Sequence, residues 1–128
     1  MQDSILKGKK ILIVEDDLSS RLYLNKILEK TGAILLNAGD GQEAVDIVIK
    51  EPEIKIILMD IQLPVMDGYA SARKIREIRK DVKLIAQTAY SMTGDINDIY
   101  STGFDDFIIK PIYSGQLIEK LSSFFEKT

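Results

Sequence analysis

Five short apolar runs rich in Ile, Val and Leu punctuate the chain, at residues 11–14, 34–36, 56–59, 84–86 and 107–109. Each is too short for a helix and too uniformly apolar for a strand with one wet face, which predicts strands buried on both faces. Between and after them stand segments whose apolar residues recur at helical spacing: Leu24, Ile27 and Leu28; Ala44, Val45 and Val48; Ala72, Ile75 and Ile78; Ile96, Ile99 and Tyr100; Leu117, Leu121 and Phe124. Strand and helix alternating five times predict an α/β fold, a doubly wound parallel sheet with right-handed crossovers covering both faces. The helix boundaries agree. Asp40 stands three residues before Glu43 in a capping-box arrangement, Ser114 or a neighbour is placed to cap the last helix, and Gly32 and Gly103 follow helical segments where a left-handed residue is wanted. No linker-like stretch or repeat divides the chain, so residues 1–128 read as one domain with its core at about 9–126.

Composition removes whole classes of chemistry. The 128 residues contain no cysteine and no histidine, which excludes disulfides, thiolate or imidazole metal ligands and an imidazole base. Any chemistry must run on carboxylates, hydroxyls, amides and lysines. With 20 acids against 17 bases and no Lys/Arg-rich run, direct nucleic-acid binding is not expected. The apolar runs are too short to cross a bilayer, and Met1-Gln2-Asp3-Ser4 is not the start of a signal peptide. The expectation is a cytoplasmic domain without membrane insertion, whose parent chain could be membrane-bound.

In sheets of this class, sites form outside the carboxyl ends of the strands. Those ends carry Glu15-Asp16-Asp17 after the first strand, Asp60 after the third, Thr88 after the fourth and Lys110-Pro111 after the fifth. Carboxylates converging there repel one another unless a cation is present, and an all-oxygen set suits a hard divalent ion such as Mg²⁺. A carboxylate at the mouth of such a site can attack a phosphoryl group to form an aspartyl phosphate. Asp60, followed by the turn Ile61-Gln62-Leu63-Pro64-Val65-Met66-Asp67-Gly68, is placed for that role, with the Lys110 ammonium and the Thr88 hydroxyl as partners for phosphoryl oxygens.

The blocks Lys10-Ile11-Leu12-Ile13-Val14-Glu15-Asp16-Asp17, Leu58-Met59-Asp60 with the turn after it, Thr88-Ala89 and Lys110-Pro111 resemble the signature blocks of response-regulator receiver domains of two-component and phosphorelay signalling. The resemblance runs end to end, in the same order and spacing. It implies a flavodoxin-like (βα)5 fold with strand order 2-1-3-4-5, and makes Asp60 the phosphoacceptor, with Mg²⁺ held by Asp16 and Asp60 directly, by Glu15 through water and by the Gln62 backbone carbonyl. It makes Thr88 the hydroxyl that moves toward the phosphoryl group, Lys110 its counter-charge, Phe107 the aromatic switch and the Lys110-Pro111 bond cis. Partners implied are a sensor histidine kinase or histidine phosphotransfer domain, and a downstream protein on the fourth helix, fifth strand and fifth helix, residues 93–125. The Asp60 block is most similar to receivers of hybrid sensor histidine kinases. The family's output is a binding event, so no small-molecule turnover is expected.

Other readings stand beside these. Asp16 and Asp17 could cap the first helix, the favoured role for Asp17, and Phe107 could be plain core. Tyr90, two residues after Thr88, is a candidate for shielding the acyl phosphate from water. A receiver-like scaffold that is never phosphorylated, and an Asp-nucleophile phosphatase, are the competing functions. The second is disfavoured by Gln62, standing where such phosphatases carry an acid/base Asp. A nucleotide or flavin site lacks its Gly-rich loop.

Overall fold

The computed structural model describes residues 3–89 and 93–125. A short 3₁₀ turn, Asp3–Leu6, leads into β1 (Lys10–Val14), α1 (Leu18–Glu29), β2 (Ile34–Ala38), α2 (Gly41–Lys50), β3 (Ile54–Asp60), α3 (Gly68–Ile78), β4 (Lys83–Thr88), α4 (Thr93–Thr102), β5 (Asp106–Ile109) and α5 (Ser114–Ser123). All strand pairs are parallel and the order is β2-β1-β3-β4-β5. This is the order the resemblance implied.

Period-two alternation divides the core between the two faces of the sheet. Leu12 and Val14 of β1, with Ile57 and Met59 of β3, pack with Ala44, Val45 and Val48 of α2 and Ala72 and Ile75 of α3. Ile11, Ile13, Ile56 and Leu58 point to the other layer, against Leu24, Ile27 and Leu28 of α1 and Leu117 and Leu121 of α5. Each fully buried Leu or Ile is worth about 1.5–3 kcal/mol relative to exposure. A bulge between Lys10 and Ile11 shifts the β1–β3 register, so that Lys10 faces Ile54 and Ile11 faces Ile56.

Three expectations need correction. The outer strands are not buried on both faces: Ile34 of β2 is 47% exposed and Ile109 of β5 is 40% exposed, because an edge strand has a neighbour on one side only. Ile78 and Tyr100 continue the helical spacing but are also about half-exposed, standing at the margin of the arc that faces the sheet. Ser114 is the first residue of α5 and not its cap; Tyr113 holds the cap position, with no side-chain hydrogen bond. The other boundaries agree with the sequence. Asp40 accepts from Glu43 N at 2.8 Å while Glu43 Oε1 accepts from Gly39 N, and Gly32 and Gly103 have positive φ. Asp17 caps α1 by accepting from Ser20 N at 2.9 Å. Among the described residues, no helix is long and apolar enough to cross a membrane.

Candidate functional site

Register brings the site together. Asp60 ends β3 opposite Gln87 of β4, Met59 stands opposite Val14 at the end of β1, and Thr88 stands opposite Ile109 at the end of β5. The residues that follow these strands therefore emerge at one sheet edge. The chain turns back at Lys110, whose N–H donates to the Thr88 carbonyl at 2.8 Å, and its bond to Pro111 is cis.

Asp60 is buried, and each of its oxygens has a donor. Gln62 N donates to Oδ1 at 3.0 Å and Lys110 Nζ to Oδ2 at 2.8 Å. Glu15 is more deeply enclosed. Its N–H donates to the Ala38 carbonyl at 3.0 Å, and its carbonyl accepts from Arg21 Nε and Nη2 at 3.3 and 3.1 Å. Its Oε2 accepts from Asp17 N at 3.2 Å. Oε1 is buried without a hydrogen-bond partner, 4.0 Å from Lys110 Nζ. Burial pushes the Glu15 carboxyl above the ordinary carboxylate range, and the Asp60 and Asp16 charges push the same way. The Asp17 N–H and Lys110 offset part of this rise.

One carboxylate oxygen from each of Glu15, Asp16 and Asp60 can lie within 4.8 Å of the others, with Asp16 exposed at the mouth. Three acids against one lysine leave negative charge in excess, and the orphaned Glu15 Oε1 is an acceptor without a donor. Both features, with a donor set made only of oxygen, fit a hard divalent cation such as Mg²⁺. Beside the acids opens a cleft of roughly 290 Å³ lined by Asp60, Ile61, Gln62, Tyr69, Gln87, Thr88, Ala89 and Lys110.

Five of the residues singled out from sequence, Glu15, Asp16, Asp60, Thr88 and Lys110, thus meet at this edge, and Gln62 joins them through its N–H and its place on the cleft wall. Phe107 does not line the cleft. It is half-buried, packed against the core layer of α2 and α3, with its ring edge-on to Tyr100 of α4 at 6.1 Å and 75°. Tyr90 lies outside the described residues. Arg21 and Gln87 were missed. Gln87 is 1% exposed with its Nε2 unpartnered, and its signal was an amide placed directly after the apolar run of β4, within the strand. Arg21 carried no signal, since a basic residue in the first turn of a helix usually means a solvated face.

The model of the response regulator receiver domain family matches residues 11–122. Among curated proteins, a two-component system protein of Emericella nidulans is 36% identical over 95% of this chain, which covers 18% of that protein's length. A probable histidine kinase of Oryza sativa is 36% identical over 92% of the chain and 13% of its own length. The chain therefore spans less than a fifth of these relatives. Among solved structures, the receiver domain of the Pseudomonas aeruginosa sensor histidine kinase PA1611, with magnesium in its active-site cleft, is 30% identical at a TM-score of 0.81, covering 92% of this chain and 97% of that one. The Saccharomyces cerevisiae co-crystal of the histidine phosphotransfer protein Ypd1 with the receiver domain of Ssk1 also matches, at 30% identity and a TM-score of 0.87, covering 94% and 90%.

Proposed function

This chain belongs to the response regulator receiver domain family of two-component signalling, and from that premise we propose that it takes a phosphoryl group from a partner's phosphohistidine onto Asp60 and so switches a protein-binding face. The observation that carries the reading is the Asp60 carboxylate itself. It ends a central strand, is held on one oxygen by Gln62 N and on the other by Lys110 Nζ at 2.8 Å, and opens on a cleft beside two further acids.

In the proposed step a carboxylate oxygen of Asp60 attacks phosphorus. An O–P bond forms, the P–N bond to the donor imidazole breaks, and the electron pair leaves with the imidazole nitrogen. The residues here contain no histidine, so the donor is a sensor histidine kinase or histidine phosphotransfer domain outside them. Asp16 and Asp60 would hold Mg²⁺ directly, Glu15 through water and Gln62 through its backbone carbonyl. When bound, the ion supplies positive charge that offsets the clustered carboxylates and the charge on the transferring group. Lys110 already bonds the acceptor carboxylate, and as charge builds on the phosphoryl oxygens its ammonium serves them instead. The backbone N–H of Gln62 orients the carboxylate at no cost in side-chain entropy.

The new phosphoryl oxygens on Asp60 are acceptors within the cleft that Thr88 lines, and drawing its hydroxyl inward moves the end of β4. β5 runs beside it, with Phe107 and Tyr100 in contact, so the displacement reaches the surface of α4, β5 and α5, where a downstream protein binds. The product is a change of partner affinity. Incubation with phosphoramidate and Mg²⁺ followed by intact-mass measurement tests the reading. Wild type gains one phosphoryl group and Asp60→Asn gains none; an unmodified wild type overturns it.

A further inference from the structure

On the face of the sheet that α1 and α5 cover, a second pocket of roughly 260 Å³ lies between α1 and the loop after β5. Tyr23 and Leu24 form its helical wall and Pro111, Ile112 and Tyr113 the wall opposite, while Gln87 and Lys110 line both this pocket and the cleft beside Asp60. The two walls are tied together, because the Tyr23 hydroxyl donates to the Ile112 carbonyl at 2.6 Å. The pocket is therefore formed in advance of any ligand.

Its walls are largely carbon, and one polar group in them lacks a partner. Strand parity turns Gln87 of β4 to the same layer as Ile85, which packs with Leu24, Ile112 and Leu117. Gln87 is almost wholly buried, and its Nε2 has no hydrogen-bond partner among the described residues. A buried donor without an acceptor is costly, and a Leu or Ile here would bury without that cost, as Ile85 does. Water answers the need poorly. A buried water settles where it finds about two to four polar partners, and a pocket of this size would hold several waters, most of them against the carbon surfaces of Leu24, Pro111 and Ile112. A dry apolar cavity of roughly 150 Å³ is already enough to take up benzene.

We propose that this pocket binds a small, uncharged aryl carbonyl compound, an aromatic ketone or amide, whose oxygen accepts from Gln87 Nε2 and whose ring lies between Tyr23, Pro111 and Tyr113. The carbonyl follows from the orphaned amide nitrogen, which can only donate. The aromatic body follows from the rim, where two phenol rings and a proline ring offer flat apolar faces, Tyr23 and Tyr113 being 48% and 64% exposed. The lack of charge follows from Lys110, whose ammonium bonds Asp60 at 2.8 Å and stands 4.0 Å from Glu15 Oε1. An anion would compete with those carboxylates for it, and a cation would be repelled by it. The inference stands apart from the phosphoacceptor reading, since it needs the pocket and Gln87 and no chemistry at Asp60.

The test titrates two probes of nearly one shape into the full chain: acetophenone, and ethylbenzene, which lacks the carbonyl oxygen. Proton–nitrogen correlation spectra follow the Gln87 side-chain amide, assigned by triple-resonance experiments. Acetophenone shifts that amide and the backbone signals of Leu24 and Ile112 saturably, with a Kd on the order of 1 mM, as suits so small a ligand. Ethylbenzene binds wild type at least about threefold more weakly, and Gln87→Leu abolishes the preference. Tyr113→Ala removes an exposed ring that makes no capping hydrogen bond, and weakens acetophenone binding at least about twofold in a chain that still folds. That second variant keeps the proposal open to refutation should Gln87→Leu not fold. Equal affinity of the two probes for wild type overturns the proposal, as does a preference that survives in Gln87→Leu, or acetophenone binding that Tyr113→Ala leaves unchanged. The absence of a saturable shift at Gln87 overturns it too, and leaves the pocket to water alone.

Discussion

The end of β3 and the strand β5 stand on either side of β4, yet they are built differently. β3 lies in the middle of the sheet, and six of its seven residues are buried, Lys55 alone being exposed. Its last carboxylate has a donor on each oxygen, and the loop after it is wedged between Gly41 and Gly68. β5 is a four-residue edge strand in which only Ile108 is buried, and Phe107 leans on Tyr100, itself 47% exposed. The contrast separates two demands. A nucleophile must be held in place, because an error of an ångström costs rate. A switch must have alternatives of similar energy, and a lightly packed edge supplies them.

The sharpest way to break the comparison is to remove packing from each side. Leu58→Ala in β3 should lower unfolding stability by about 2–5 kcal/mol, the range for a buried Leu. Ile109→Ala in β5 should cost less than about 1 kcal/mol, since surface substitutions cost little. Urea denaturation measures both, and equal losses would erase the distinction. Next comes the wedge. Gly41→Ala puts a methyl into the Met66 carbonyl and should cost about 1–3 kcal/mol by overpacking, with phosphoramidate labelling slowed as the loop after Asp60 shifts. The helix starts extend the contrast. Asp67→Ala, which removes the acceptor for Ala70 N at the head of α3, should cost about 1 kcal/mol. Ser114→Ala at the head of α5 should change stability little, because no side chain caps that helix.

The smallest effect concerns charge. The Glu15 carboxyl titrates above its ordinary value because it is buried and faces Asp60 and Asp16. A carboxyl raised in the folded state destabilises the protein above that raised value, and the penalty fades as pH falls toward the unfolded value. In a chelator, Glu15→Gln should therefore be more stable than wild type at neutral pH, and the gain should shrink as the solution is acidified toward pH ~4. The same variant should bind Mg²⁺ more weakly. Titrating denaturation midpoints against pH, with and without the ion, checks both halves.

Most of the framework was legible because periodicity reports burial directly. Ile11, Ile13, Leu24 and Leu28 stood at the spacing their elements required, and the acids and the lysine fell at strand ends, where parallel sheets gather chemistry. Strand order was not in the periodicity; it came with the receiver resemblance. Exposure at Ile34 and Ile109 was hidden because apolar content does not tell an edge strand from a central one. The positive φ of Val65, +66°, was hidden for a related reason: Pro-Val-Met reads as an ordinary turn until the backbone angle is seen. Phe107 was placed by the resemblance among the switching residues, and the structure puts it outside the cleft lining, edge-on to Tyr100.

The central claim is that Asp60 is the acceptor, and localising the adduct tests it most directly. After incubation with phosphoramidate and Mg²⁺, digestion at low pH and peptide mass mapping should find the added phosphoryl group on the peptide containing Asp60. It should be absent when the ion is chelated. A phosphoryl group found on Asp16, Asp17 or another residue, with the Asp60 peptide unmodified, would contradict the account.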